Sequence, residues 1–162
     1  MDKILSLLEQ NSRLSAKEIA GMLDKDEAEV KKAIEKYESD GTILGYHTIV
    51  NWEKTDKASV TALLEVRVTP SKGEGFDKVA KRIALLEEVK DVTLVSGSYD
   101  IMVTVEGKNL QDIALFVSEK LSSMESVLSI ATHFTLKKYK SDGVLYLNES
   151  CDERAKLEYD GL

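Results

Sequence analysis

The feature that most constrains this fold is the alternation of apolar and polar residues in SVTALLEVRVT, residues 59–69. Such alternation is typical of a strand in a sheet that buries one face and leaves the other uncovered. A sheet of that kind needs a second layer, which amphipathic helices elsewhere in the chain can supply. The residues that share the predicted buried side are Val60, Ala62, Leu64, Val66 and Val68.

The segments after this strand supply that second layer. Residues 73–89 have helical spacing with Phe76, Val79, Ala80, Ile83 and Leu86 inward, and residues 91–97 and 99–107 are predicted strands joined by the tight turn SGSYD. Residues 109–124 form a second predicted helix, and residues 126–140 a last strand. The order β-α-β-β-α-β is that of the ferredoxin-like fold. The predicted inward residues of the second helix are Leu110, Ile113, Ala114, Val117, Leu121 and Met124.

Residues 1–50 have a different pattern, that of three short helices. Ser15 and Glu18 have the spacing of a capping box at the start of the second helix. The third helix is predicted over residues 26–39, and Gly41 follows it as a stop. The segment TILGYHTIV, residues 42–50, alternates enough to predict a strand. Three helices and a strand pair are typical of a winged helix-turn-helix.

The sequence therefore predicts an α+β protein with an N-terminal winged helix-turn-helix and a ferredoxin-like domain. The predicted boundaries are 1–50 for the first domain, 51–58 for a polar linker, 59–140 for the second domain and 141–162 for an acidic tail. A length of 162 residues accommodates two small domains.

Charge and composition exclude several classes of protein. No apolar run has the length of a membrane span, and the N-terminus lacks the pattern of a secretory signal. A single cysteine, Cys151, permits no internal disulfide, so we expect a cytoplasmic protein. The net charge is −7, and residues 1–50 carry seven basic and ten acidic side chains. Composition alone therefore does not predict nucleic-acid binding.

Three stretches resemble the Lrp/AsnC family of feast/famine transcription regulators: RLSAKEIAGML, residues 30–46, and VSGSYDIMVTV at 95–105. This resemblance implies that the N-terminal domain binds operator DNA and that the α/β domain binds an amino acid or related metabolite. It also implies a homodimer formed through the sheets of the α/β domains, with higher even-numbered assemblies such as octamers. No cofactor and no membrane partner is expected.

The third helix departs from the family pattern at its start. Asp24, Asp26, Glu27 and Glu29 precede or occupy its first turn, where the family has small hydroxyl residues followed by arginines. Carboxylates at a helix N-terminus complement the macrodipole, but DNA repels them. Because the outward side of the helix carries lysines, we expect weak, salt-sensitive binding through several winged helices. The predicted DNA-binding residues are Ser15, Lys17, Glu27, Ala28, Lys31, Lys32 and Lys36.

A free amino acid needs an acidic acceptor for its ammonium and donors for its carboxylate. Asp100 supplies the acidic acceptor and the backbone amides of the SGSYD turn supply the donors. Tyr99 is expected to line the pocket. The same sequence is also a good tight turn that binds nothing. The predicted effector-binding residues are Gly97, Ser98, Tyr99, Asp100, Thr132, His133 and Thr135.

Two alternatives remain open. The first is a sensor or assembly module of the same family that has lost DNA recognition. The second is an enzyme, because proteins related to siroheme decarboxylases have a similar architecture, although the few histidines and arginines of this chain form no cluster.

His47 and His133 lie in different domains without a ligand pattern, so no metal site is predicted. No catalytic role is predicted for Cys151. Trp52 is predicted to be a packing residue between the domains. The acidic tail is expected to be solvated and partly disordered, and its charge of −4 motivates the alternative that it covers the lysines and competes with DNA.

Overall fold

The chain divides into two units, Met1–Val50 and Asn51–Leu162, in a computed structural model that describes residues 2–57, 59–70 and 75–146. The first unit contains helices α1 (Lys3–Gln10), α2 (Ala16–Leu23) and α3 (Glu27–Ser39). Their apolar stripes meet in one small core. The buried residues of that core are Ile4, Leu8, Ile19, Ala20 and Val30, and Leu14, Ala33, Ile34 and Tyr37 pack against them.

The strand predicted over residues 42–50 is wrong, because residues 44–50 are not paired in any sheet. After α3, Gly41 takes a positive φ of 77°, and the Ile43 N–H donates to the Tyr37 carbonyl at 2.9 Å. Ile43 thereby packs on the core, but Leu44 is 95% exposed. Alternation predicts a strand only where a neighbouring strand supplies hydrogen bonds, and the described part of the first unit contains none.

The second unit contains one four-stranded antiparallel sheet in the order β2-β3-β1-β4. Its strands are β1 (Val60–Val68), β2 (Val89–Leu94), β3 (Ile101–Gly107) and β4 (Val127–Phe134). Helix α4 (Asp77–Ala84) follows β1. Helix α5 (Leu110–Leu115) follows β3 and continues as a wider π-helical segment, Phe116–Leu121. This order and topology confirm the ferredoxin-like prediction.

The core of the second unit lies between the sheet and the two helices. The alternate residues of β1 from Ala62 to Val68 are buried, as predicted, and so are Ile101, Val103 and Val105 on β3. Val79 and Ile83 cover them from α4. The opposite face of the sheet carries Leu63, Glu65 and Arg67 on β1 and is covered by neither α4 nor α5. We call it the open face.

The predicted inward side of α5 is only partly right. Ile113 and Leu121 are buried as predicted, but Leu110 and Ala114 are exposed and Phe116 is buried instead. Ile113 and Phe116 are three residues apart, the spacing of one side of an α-helix, so the side that faces the sheet is rotated from the predicted one toward Phe116.

The segment after β4 folds back as a short hairpin of β5 (Lys140–Ser141) and β6 (Val144–Leu145). Asp142 and Gly143 turn it with φ values of 47° and 80°, as a two-residue turn with both φ values positive requires. The predicted last strand is therefore shorter than residues 126–140. Most of the predicted acidic tail, with Cys151, lies outside the described residues.

Candidate DNA-binding and effector sites

Helices α2 and α3 form a helix-turn-helix joined by three residues. Ser15 begins α2 with the predicted capping box: the Glu18 N–H donates to the Ser15 hydroxyl at 3.2 Å, and the Ser15 N–H donates to the Glu18 carboxylate at 2.8 Å. Asp24 ends α2 in the left-handed region with φ of 52°. Asp26 is the N-cap residue of α3. The short turn fixes the direction of α3 relative to α2.

Two of the four acidic side chains at the start of α3, those of Asp26 and Glu29, act on the protein itself. One Asp26 oxygen accepts from the N–H groups of Ala28 and Glu29 at 2.9 and 3.3 Å. The Glu29 carboxylate pairs with the Lys25 ammonium. These contacts satisfy free amides and complement the helix dipole. Glu27 differs, because no described residue lies within ion-pair distance of it.

The exposed side of α3 therefore has a small positive excess. Lys31, Lys32 and Lys36 are exposed there beside Ala28 and the two carboxylates Glu27 and Glu35. We call these three residues the lysine face. On α2, Lys17 is exposed, whereas the Ser15 hydroxyl is engaged in the capping box. The structure thus brings the predicted DNA-binding residues onto α3 and the start of α2.

A hydrogen bond between distant residues fixes α3 against α1. The Tyr37 hydroxyl donates to one Asp2 oxygen, while the other oxygen accepts from the Ile4 N–H at 2.8 Å and caps α1. The hydrogen bond from Tyr37 lowers the pKa of the Asp2 carboxyl. The same bond raises the pKa of the Tyr37 hydroxyl. No local pattern predicts this contact, because its residues are 35 positions apart.

The turn that holds the predicted effector residues is tied to the end of β1. The Asp100 N–H donates to the Val66 carbonyl at 3.1 Å, and the Val68 N–H donates to an Asp100 carboxylate oxygen at 2.8 Å. The Val95 N–H also donates to the Asp100 carbonyl at 2.9 Å. Gly97, Ser98, Tyr99 and Asp100 are thus together, and one Asp100 oxygen already stabilises the turn.

The other predicted effector residues lie elsewhere in the same chain. Thr132 and His133 pair with Leu64 and Leu63, and the Thr135 N–H donates to the Thr61 carbonyl at 2.9 Å. Leu64 and Val68 are four positions apart, which at about 3.3 Å per residue separates the two groups by roughly 13 Å along β1. The structure therefore does not bring the two groups into one pocket within a single chain.

Sequence reasoning missed Arg67, which contacts the turn directly. The Arg67 Nε donates to the Ser98 carbonyl at 2.7 Å, and the side chain is exposed on the open face. The signal available was its position on the polar side of β1, close to the end of the strand. Arginine is a strong carboxylate ligand, so Arg67 joins the candidate effector residues.

A cleft of about 290 Å³ lies where β3 meets α5. Glu88 lines it with one oxygen 2.5 Å from the Lys120 ammonium, and this interaction lowers the pKa of Glu88. The second Glu88 oxygen is buried and has no hydrogen-bond partner among the residues that the structure describes. Glu106, also in the cleft wall, pairs with Lys57 at 3.2 Å and Lys90 at 3.7 Å. A ligand in the cleft could not reach the free Glu88 oxygen, because solvent does not reach it.

The remaining candidates have no site around them. His133 lies 3.4 Å from a Glu65 oxygen on the open face, and His47 is exposed. No group of three potential metal ligands occurs in residues 2–57, 59–70 and 75–146.

Trp52 begins a short 3-10 turn and is 44% exposed, with the Lys57 ammonium 4.2 Å from its ring centre. Within the described ranges, no helix is long and apolar enough to cross a membrane.

Comparison with known protein families agrees with both units. Residues 61–145 match the Lrp/AsnC ligand binding domain. The chain belongs to the Lrp/AsnC family. Residues 3–43 match a winged helix-turn-helix DNA-binding domain. The Lrp/AsnC resemblance predicted from the sequence is thus confirmed, together with the fold class.

Relatives of this Lrp/AsnC chain are named as transcriptional regulators. YugG of Bacillus subtilis (strain 168), an uncharacterized HTH-type transcriptional regulator, is 44% identical over 94% of this chain and 92% of its own length. LrpA of Pyrococcus abyssi (strain GE5 / Orsay) is 28% identical over 85% and 94%. The chain is accordingly a DNA-binding transcriptional regulator with a ligand-binding domain. This confirms the regulator prediction over the enzyme alternative.

Solved structures share the fold of this chain. A transcriptional regulator from Neisseria meningitidis, solved as a complex with L-Met, has a TM-score of 0.70 at 21% identity and covers 87% of this chain and 93% of its own. Escherichia coli AsnC has a TM-score of 0.66 at 18% identity, with 85% and 91% covered. The fold is therefore common to regulators of distant sequence.

Proposed function

We propose that this regulator binds operator DNA weakly through each lysine face and gains affinity by assembling several winged helices. The observation that carries the proposal is the use of the acidic side chains at the start of α3. Asp26 and Glu29 are engaged by backbone amides and by Lys25. Lys31, Lys32 and Lys36 are thereby left as the main charges offered to phosphates.

Lysine contacts give affinity with little sequence information. An ammonium is a point charge that neutralises a phosphate, whereas the bidentate contact to guanine is made most often by arginine. No arginine occurs in α3. Lys17 is placed to add a phosphate contact from α2. Glu27 and Ala28 are the residues of the first turn that remain available to base edges, and Ser15 contributes by positioning α2.

The test is fluorescence anisotropy with the DNA upstream of the protein's own gene and with random DNA, each at two salt concentrations. We expect a preference for the upstream DNA and a steep loss of affinity with salt, because each neutralised phosphate releases counterions. Lys32→Gln should weaken binding to both DNAs and reduce the salt slope by about one phosphate contact.

Lys81→Gln is the matched control, because Lys81 is an exposed helical lysine on α4 in the other unit. It should leave the anisotropy curves unchanged. Loss of binding that is equal in the Lys32 and Lys81 variants would contradict the lysine face. Tight binding by an isolated dimer at physiological salt would contradict the need for assembly.

The same experiment decides the second candidate function, a sensor that has lost DNA recognition. The observation in its favour is Glu27, a carboxylate at the start of α3 that no described residue neutralises. Absence of binding to either DNA at low salt would support that candidate. In that case Glu27→Gln should restore measurable binding.

We infer that the ligand of the α/β unit is an amino acid or a related small metabolite. The match to a ligand binding domain and the L-Met complex of the Neisseria meningitidis relative support this class. Gly97, Ser98, Tyr99 and Asp100 are the proposed first half of the site. Since Thr132 and His133 on β4 and Thr135 directly after it lie apart from them, a second copy of the chain is proposed to complete it.

The open face supports a homodimer. Leu63 is 40% exposed at the centre of this face, and two sheets that pack face to face bury such residues between them. We propose the homodimer as the basic unit, even-numbered assemblies of it as the DNA-binding form, and the cytoplasm as its compartment.

A further inference from the structure

We propose that Arg67 binds the carboxylate of the effector, so that the site selects small molecules bearing a free carboxylate. This inference rests on the proposed small-molecule regulation and names the chemistry of its ligand. Arg67 stands on the open face at the end of β1, beside the turn of residues 97–100.

The side chain is held in place by the turn. Its Nε donates to the Ser98 carbonyl at 2.7 Å, which uses one of the five N–H groups of a guanidinium. The four N–H groups on the two terminal nitrogens form a planar fork that matches a carboxylate. Fixing Nε removes part of the conformational freedom that an exposed arginine otherwise loses on binding.

No carboxylate of the described residues forms an ion pair with the terminal nitrogens of Arg67. The described ion pairs are formed by Lys25, Lys57, Lys90, Lys120 and His133. Asp100 is the nearest carboxylate in the turn, but one of its oxygens accepts from the Val68 N–H at 2.8 Å. Asp100 therefore maintains the turn that orients Arg67, and the positive charge of Arg67 remains available to a ligand.

The neighbouring strand adds a second polar group at the same place. Ser129 pairs with Arg67 in the register of β1 and β4, so their side chains project on the same face about 5 Å apart at Cβ. The register of the two strands shifts directly after this pair, between Arg67 and Val68. Irregularities of this kind re-aim side chains and occur often beside functional sites. Ser129 is thus placed to donate its hydroxyl to the same carboxylate.

The proposal predicts how ligand chemistry changes binding. The twenty L-amino acids are screened by thermal shift on the full-length protein, and each hit is measured by calorimetry. For each hit, the corresponding 2-oxo acid keeps the carboxylate and the decarboxylated amine loses it. We expect the 2-oxo acid to bind and the amine to bind at least tenfold more weakly than the hit. Inorganic phosphate is included because it tests for a general anion site.

Variants test the residue itself. Arg67→Gln should lower the affinity for the hit at least tenfold. Arg67→Lys should lower it by an intermediate factor, because lysine keeps the charge but lacks the planar pair of N–H donors. Arg82→Gln, an exposed arginine on α4, is the matched control and should bind as the wild type does. Ser129→Ala leaves the hydrogen bonds of the turn intact and should weaken the hit about threefold, so it tests the site even if Arg67→Gln misfolds.

Three results would overturn the proposal: an amine that binds as tightly as its amino acid, a hit unaffected by both Arg67→Gln and Ser129→Ala, or phosphate binding equal to that of the hit. Failure of the wild type to bind any amino acid would instead reject the proposed effector, and with it this inference. The two failures are therefore distinguishable.

Discussion

At the scale of single residues, the pair Asp2 and Tyr37 joins the start of α1 to α3. Since the hydrogen bond from Tyr37 lowers the pKa of Asp2 in the folded protein, Asp2 stabilises the fold above its unfolded pKa of about 3.9. That contribution is lost as the pH falls through the lower folded pKa. Acid should therefore weaken the N-terminal unit by protonating Asp2.

Tyr37→Phe tests this coupling. The variant lacks the hydroxyl, so it should be less stable than the wild type at pH 7, and the difference should shrink as the pH falls toward 2. Urea unfolding of the full-length protein, followed at several pH values, measures both effects. Tyr139→Phe is the control because Tyr139 is 70% exposed and should behave as the wild type. A constant difference between Tyr37→Phe and the wild type at all pH values would contradict the assignment.

Single residues also show what sequence could and could not predict about the sites. The capping box of Ser15 and Glu18 and the exposed lysines of α3 follow from local spacing, and the structure has both. The contact of Arg67 with Ser98 could not be predicted, because it spans 31 positions and depends on how the β2–β3 turn folds onto β1. Contacts that depend on the pairing of distant segments leave no periodic signal.

At the scale of elements, the junction of β3 and α5 depends on Gly107. A Cβ at this position would lie 3.0 Å from Cγ1 of Ile113 and 3.3 Å from Cβ of Asp112. Ile113 is buried and cannot move freely. We therefore expect Gly107→Ala to lower the free energy of unfolding by about 1–3 kcal/mol, as overpacking does.

Gly21→Ala is the matched substitution, because nothing lies within 4 Å of a Cβ there and Gly21 is inside α2. It should raise stability by about 0.5–1 kcal/mol through helix propensity. Urea unfolding of both variants measures these opposite changes. Equal effects in the two variants would show that the junction tolerates a methyl group.

Elements differ in how well their sequence patterns predicted them. The alternation in β1 gave the buried side correctly because β1 lies between β3 and β4 and pairs with both. The same kind of pattern in residues 42–50 predicted a strand that the structure lacks, since no strand in the described part of the chain pairs with it. In α5, periodicity was right at Ile113 but wrong at Leu110 and Ala114, because the side that faces the sheet includes Phe116 instead.

At the scale of the whole molecule, the proposed weak winged helices and the divided effector site both require more than one copy of the chain. The open face is the surface that a second copy would cover. Leu63 pairs with Thr104 and His133 across the sheet and is half-exposed at its centre. A charge placed there would be buried without a partner in a sheet-to-sheet dimer, at a cost of several kcal/mol.

Leu63→Asp should therefore shift the protein to monomers, which sedimentation or light scattering would measure at micromolar concentration. Because binding to DNA is proposed to depend on assembly, the monomeric variant should also lose at least tenfold in affinity for the upstream DNA, although α3 is unchanged. Leu85→Asp is the control, since Leu85 follows α4 and is 85% exposed. A dimeric Leu63→Asp would exclude the open face as the interface, whereas a monomer with full DNA affinity would show that one winged helix is sufficient.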